Sequence, residues 1–398
     1  MRRQHETPPG DDRNGGAGSG WTRAPPSGGA AETHRRNARD MRGGEVPHVN
    51  SISIPHYDRP MATLSDVAAR AGVSVSAVSR VLSDAPETRV SDETRERIKQ
   101  AARDLDYRPN SAGRALRSAR SNVIALVVPD LINAIFIELV RGVEDAAIQH
   151  DYLVLMGRTE DLEPGDERAR KLLGEGRVDA LLLQPGDRPK VVDAIAGFAE
   201  QKPVVILNSV EANTPGSATM PDDVGARVAV RHLIDLGHER IAFAGGVPGN
   251  PTNVRRESGF RAQMASVGLD VDPKFVTSFG YTAADGERAA DALLNGEHRP
   301  TAIFVANVNA AIGLLSRARR LGIAVPADVS IVALHDSWTA ENSWPPLTTV
   351  KMPWYELGRR AFAQVHGRIQ GEDPTGIVVD DPAPRLIVRE STAPIDAG

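Results

Sequence analysis

The chain has no cysteine in 398 residues. That single absence excludes disulfide frameworks, cysteine-ligated zinc sites and cysteine nucleophiles. It agrees with a reducing cytoplasm, where the protein is expected to reside. Aromatic residues are scarce, at 4%. No apolar run reaches the roughly 18 residues that a membrane-spanning helix needs, so no membrane role is expected. The start, Met-Arg-Arg, is not followed by an apolar segment, so no export signal is expected. A P-loop, a GxGxxG after the first strand and a GxSxG elbow are all missing. The glycine-rich "GGVPGNP" from Gly245 fits no phosphate-cradle spacing. His150, His232 and His238 have no evident catalytic partner and read as surface or capping residues. Catalysis, a metal and a cofactor are therefore not expected.

What is present is ordinary in bulk and uneven in detail. Hydrophobic residues make up 41% and charged residues 25%, as in a globular chain of two or three domains. The net charge of −5 conceals an asymmetry. Residues 1–60 carry 9 Arg and Lys against 7 Asp and Glu, and residues 61–120 carry 11 against 8. The remainder carries 27 against 37. A mildly basic front on an acidic body is the pattern expected if only the front meets a polyanion.

Residues 1–60 are rich in Gly, Pro and Arg and cannot bury a core, so a disordered extension is expected. Residues 61–107 predict three short helices. Thr63 can cap the first, with Asp66 at the capping-box position. Leu64, Val67, Ala68 and Ala71 form one apolar face, and Gly72 ends the helix. Ser74 caps the second helix and Ser91 the third, whose inner face is Ile98, Ala101, Ala102 and Leu105. On the second helix, Val78, Val81 and Leu82 face inward. Val75, Ser76, Ser79 and Arg80 face outward. Arginine reads guanine bidentately, serine bonds bases or phosphates, and valine meets a thymine methyl, so this face suits a DNA major groove. Two helices joined by a Gly-containing turn make a helix-turn-helix.

From Asn122 onward, apolar runs alternate with helical segments. "VIALVV", "YLVLM", "VDALLL" and "PVVIL" form one set of strands; "RIAFAGG", "FVTSF", "TAIFVA" and "VSIVAL" form a second. Unbroken apolar runs predict strands covered on both faces, in parallel sheets with right-handed crossovers. Two sets of about 100 residues each predict two similar lobes, with a ligand cleft between them at the strand carboxyl ends.

"TLSDVAARAGVSVSAVSRVL" followed by "VSDETRERIKQAARDLDYRPN" resembles the headpiece of the lactose-repressor (LacI/GalR) family of bacterial transcription regulators. The likeness continues through "IALVVPDLINAIF", "GARVAVRHLIDLGHERIAFAGG", "PADVSIVALHD", "PPLTTVKMPWYELGRRA" and "RLIVREST", nearly all of Met61 to Thr392. It implies an all-α helix-turn-helix headpiece (61–107) and a hinge (108–120). A two-lobed, periplasmic-binding-protein-like α/β domain with parallel sheets (121–398) follows, which binds effector and dimerises.

The resemblance also implies roles for particular residues. Val75, Ser76 and Arg80 match base readers, Thr63, Ser74 and Ser79 match phosphate grips, and Leu116 matches the leucine wedged into the minor groove of a palindromic operator. Arg256, Tyr281, Asn307, Asp130, Asn133 and Phe136 match cleft residues that meet the effector, Tyr281 and Phe136 having core packing as their alternative. His335 stands where an aspartate is usual, Val308 follows Asn307 where an aspartate is common, and Asn208-Ser209 replaces a common Asp-Arg pair. These departures favour a sugar derivative, such as a sugar acid or phosphate, or a non-sugar ligand. His335 either enters the pocket, making binding pH-dependent near neutrality, or caps a loop. Trp338 and Trp344 either wall the pocket or pack.

Gly113 replaces a usual alanine in the hinge, and the loop "SDAPETRVS" is about two residues longer than the common pattern. The implied function is a repressor of DNA, working as a homodimer and controlled by a small molecule. No heptad repeat after Thr392 offers a tetramerisation coil. A family regulator governed by a protein partner, and an enzyme on the same scaffold, are the alternatives.

Overall fold

The computed structural model describes residues 62–395, apart from 84–89, 108–119, 163–166, 175, 187–189, 211–215 and 297. The extension 1–60, residues 84–89 of the longer loop, Gly113 and Leu116 therefore lie outside the described residues.

The helical unit comprises α1 (Leu64–Ala71), α2 (Val75–Leu82) and α3 (Asp92–Asp104). Its local signals act as the sequence predicts. Gly72 takes φ +66°, which lets Val73 N–H return to the Ala68 carbonyl at 3.1 Å and close α1. Ser74 accepts from Ala77 N–H and Ser91 from Thr94 N–H, starting α2 and α3. A small core of Val67, Ala68, Ala71, Val78, Val81, Ile98, Ala101 and Ala102 joins the three helices. Arg70 on α1 bridges Asp104 on α3 at 3.0 Å. Gln100 and Arg70 together hold the Asp104 carboxyl below the usual carboxylate range.

The body contains two six-stranded sheets. Its strands are β1 (Val123–Val128), β2 (Leu153–Arg158), β3 (Ala180–Leu183), β4 (Val204–Leu207), β5 (Ser217–Thr219), β6 (Ile241–Gly245), β7 (Val276–Ser278), β8 (Ala302–Val305), β9 (Ser330–Leu334), β10 (Thr348–Lys351), β11 (Ile377–Val378) and β12 (Arg385–Ile387). Its helices are α4 (Ile137–Ile148), α5 (Glu167–Leu173), α6 (Lys190–Ala194), α7 (Ala196–Ala199), α8 (Asp222–Asp235), α9 (Pro251–Ala265), α10 (Ala283–Leu294), α11 (Val308–Arg320), α12 (Trp338–Glu341) and α13 (Trp354–Ile369). The first sheet has the order β11-β5-β4-β3-β1-β2 and the second β12-β10-β9-β8-β6-β7. Every pairing is parallel except β10 with β12. The inner strands β1, β3, β6, β8 and β9 are almost wholly buried, as helices on both faces require.

Three expectations need correction. The lobes are not two consecutive blocks of four strands. β11 returns to the first sheet against β5, and α13 packs on α4, with Tyr355 Oη donating to Asp145 at 2.9 Å. Strands of two or three residues are too short to show a periodicity. Second, β2 is an edge strand and is not covered on both faces, with Leu153 and Leu155 exposed. Third, His238 is not a surface residue. It is buried, and its ring contacts Thr301 Oγ1 at 3.1 Å, Ser330 Oγ at 3.0 Å and the Ala393 carbonyl at 3.1 Å.

Candidate DNA-reading face and interlobe cleft

On α2 the burial pattern separates the packed face from the outward one. Val78 and Val81 are buried, whereas Val75, Ser76 and Arg80 are exposed and Ser79 is half-buried. Ser74, also exposed, shares a 3.0 Å contact between its hydroxyl and that of Ser76. Thr63 is exposed directly before α1. Six of the seven expected DNA contacts are thus on the surface or close beneath it; the seventh, Leu116, is not described. Arg80 has no ion pair among the described residues, so its guanidinium is not committed to the scaffold.

The cleft lies at the carboxyl ends of the strands of both sheets. It encloses about 780 Å³. β1 delivers Asp130, β4 delivers Asn208 and Ser209, β8 delivers Asn307 and β9 delivers His335. All seven expected effector residues line it. Asp130 is exposed, with Oδ1 accepting from Ile132 N–H. Asn133 caps the short 3-10 turn Ala134–Phe136 through Oδ1. Phe136 is buried edge-on to Trp354, with centroids 5.5 Å apart. Tyr281 is half-buried and lies close to Gly246, where a Cβ would meet its ring at 2.1 Å. Asn307 is occupied by the scaffold: Oδ1 accepts from Ala310 N–H at 2.8 Å, and Nδ2 donates to the Tyr281 carbonyl at 3.0 Å. Trp338 and Trp344 sit at the wall with most of their surface exposed.

Arg256 and His335 belong to a buried chain of polar groups that sequence reasoning did not assemble. Arg256 donates through Nε to Asp222 Oδ1 and through Nη1 to the Ala306 carbonyl, both at 2.9 Å. Its Nη2 is 2.9 Å from Asp222 Oδ1 and 2.9 Å from His335 Nε2. Arg255 pairs with Asp222 Oδ2 at 2.8 Å. Trp354 Nε1 donates to His335 Nδ1 at 2.9 Å. Asp222 and Trp354 were missed. Both lie in quoted or adjacent motif stretches, but only the fold shows that they turn inward. Burial, then the Arg256 charge, push His335 well below the ordinary histidine value of 6.5. The ring is therefore neutral at pH 7, and the expected titration near neutrality is contradicted. His335 is 1% exposed and sits at φ +70° directly after β9.

Polar bonds cross from lobe to lobe beside the cleft. Thr252 Oγ1 donates to the Asn208 carbonyl at 2.6 Å, and Asn250 Nδ2 to the Gly186 carbonyl at 3.1 Å. Among the described residues, no group of three or more His, Asp or Glu is placed to hold a metal ion. No described helix is long and apolar enough to cross a membrane.

A helix-turn-helix unit followed by a two-lobed, cleft-bearing body defines the class of two-part transcription regulators. Comparison with known proteins makes the assignment specific. Residues 63–110 match the family described as bacterial regulatory proteins, lacI family, and residues 230–392 match a periplasmic binding protein-like domain. The transcriptional regulator DegA of Bacillus subtilis is 33% identical over 342 residues, covering 84% of this chain and 99% of its own. The lac repressor dimer bound to operator and the anti-inducer ONPF aligns with a TM-score of 0.71 at 27% identity, over 84% of this chain and 100% of that one. The regulator CelR in complex with cellobiose aligns with a TM-score of 0.61 at 28% identity, over the same shares. This chain belongs to the lacI family of bacterial regulatory proteins.

Proposed function

We propose that this protein is a cytoplasmic, sequence-specific transcription regulator, acting as a repressor, whose grip on DNA is set by a small molecule in the interlobe cleft. Residues 61–107 form the headpiece, 108–120 the hinge and 121–398 the effector-binding and dimerising body. The observation that carries this reading is the pairing, in one chain, of an exposed Val75/Ser76/Arg80 face with a cavity at the strand ends of two lobes. Val75, Ser76 and Arg80 read bases, Thr63, Ser74 and Ser79 hold phosphates, and Leu116 enters the minor groove of a palindrome. Asp130, Asn133, Phe136, Arg256, Tyr281, Asn307 and His335 surround a sugar-like effector, in line with the cellobiose named for CelR. The homodimer is supported by the exposed Leu153 and Leu155 on edge strand β2 beside exposed Ile148. Catalysis plays no part.

Mechanistically, an effector that binds the closed cleft better than the open one shifts the lobes and thereby the headpieces. Coupling between two sites requires such differential affinity. The test is selection of genomic DNA fragments by the purified full chain, followed by footprinting. A protected palindrome, weakened by Leu116→Ala, is expected. Fragments recovered without any shared palindrome, even in the presence of cell extract, contradict the reading.

A further inference from the structure

His335 is placed between two donors. The Trp354 indole N–H only donates, and so does the Arg256 guanidinium. A neutral imidazole has one acceptor nitrogen, and the two contacts ask for two. The tautomer that leaves least unmet follows from the partners. Trp354 has a single N–H, buried against His335 Nδ1, whereas Arg256 Nη2 also reaches Asp222 Oδ1. Nδ1 therefore keeps its lone pair and Nε2 carries the proton. On that assignment the 2.9 Å contact between Arg256 Nη2 and His335 Nε2 brings two donors together, a corner that an added acceptor would relieve.

The charge at this point has the same bias. Asp222 is shared by two arginines, so the group of half-buried Arg255 with buried Arg256, Asp222 and neutral His335 keeps one positive charge. The Asp222 oxygens are occupied and cannot accept from a ligand hydroxyl. To a hydroxyl bound between them, Arg256 and His335 Nε2–H present donors only. An oxyanion accepts from both facing donors and cancels the charge. The first lobe lines the cleft differently: Asp130 and Asn133 offer polar groups of the kind that hydroxyls satisfy.

We propose that the effector presents an oxyanion to Arg256 and His335 Nε2–H, as a sugar acid or sugar phosphate whose hydroxyls face Asp130 and Asn133. The proposal rests on the reading of the cleft as the effector site. His335 is then a specificity residue: its one proton, fixed by Trp354, turns a hydroxyl-binding corner into an oxyanion-binding one.

The test uses the full chain at constant ionic strength. D-glucuronate, D-galacturonate and D-glucose 6-phosphate are titrated against D-glucose and D-galactose, reading tryptophan fluorescence and melting temperature. Acids are expected to bind at least about ten-fold tighter than their neutral partners, as a charge-assisted hydrogen bond allows. The 6-phosphate separates phosphate from carboxylate. His335→Asp restores an acceptor and adds negative charge, and is expected to reverse the preference. His335→Asn adds an acceptor without charge and is expected to weaken it, which keeps the test valid if the aspartate variant misfolds. Nitrogen-15 spectra of the imidazoles, assigned with His335→Gln, are expected to show the Nε2–H tautomer before ligand. Neutral sugars binding as tightly as the acids, or an Nδ1–H tautomer, overturns the proposal while leaving the cleft reading intact. If no compound of either kind shifts either signal, the proposal and the cleft reading fall together.

Discussion

The headpiece and the cleft solve opposite problems. On α2 the proposed base readers Val75, Ser76 and Arg80 are exposed, and none of them is among the eight buried core residues of the helical unit. In the cleft the working side chains are the scaffold. Arg256 and His335 are 3% and 1% exposed, and each holds other buried groups in place. A reading surface of the first kind can change without unfolding its support. A site of the second kind cannot, because removing one member leaves its partners buried and unpaired.

The largest effect that would sharpen this contrast is on stability. Asp222→Ala strands two guanidinium groups, and is expected to cost the body about 3–5 kcal/mol. The measurement is the urea midpoint followed by fluorescence of Trp338, Trp344 and Trp354. A loss below about 1 kcal/mol would erase the distinction between the two regions. Arg80→Ala comes next and should act on binding alone. It should weaken the selected DNA site by about 1–3 kcal/mol, the worth of one bidentate base contact, in an anisotropy titration at fixed salt.

Acidification should also divide the two regions. His335, His232, His238 and His366 are all held below the ordinary value of 6.5, burial being the first cause in each. The unfolded body takes up protons below that value while the folded body does not. Stability is therefore full above about pH 6.5 and falls as pH drops toward the folded values. Residues 62–107 contain no histidine. The headpiece should lose stability only at lower pH, through Asp104, whose lowered value has the carboxylate sign. Thermal melts between pH 7.5 and 5, read by tryptophan fluorescence for the body and by residue-resolved amide NMR signals of α1–α3 for the headpiece, check this. Parallel slopes would break the comparison. Smallest is Ser74→Ala, which removes the α2 cap and should cost the headpiece about 1 kcal/mol, seen as an earlier loss of the α1–α3 amide NMR signals on heating with the body transition unmoved.

The same contrast explains what the sequence revealed. Helix faces and caps are local, so Gly72, Ser74, Ser91 and the outward set on α2 could be read from spacing of three or four residues. The long apolar runs announced most of the parallel strands. The strand-end positions in the cleft followed from the family resemblance. The polar chain behind them did not, because it is built from distant segments: Asp222 lies 34 residues from Arg256 and His335 lies 79. No periodicity connects such positions. The consequence of the histidine was misjudged for the same reason. Its titration depends on burial and on Arg256 and Trp354, none of which its neighbours in sequence disclose. The returning strand β11 was missed because two residues carry no pattern.

The central proposal is that α2 reads bases through Val75, Ser76 and Arg80, side chains outside the buried core of the headpiece. The most direct measurement is a footprint of the best genomic site by wild type and by Arg80→Ala, with melting curves of both proteins taken in parallel. The account predicts a protected palindrome for wild type, loss of that protection for Arg80→Ala, and unchanged melting of headpiece and body. Protection retained by Arg80→Ala, or lost together with the headpiece fold, would contradict it.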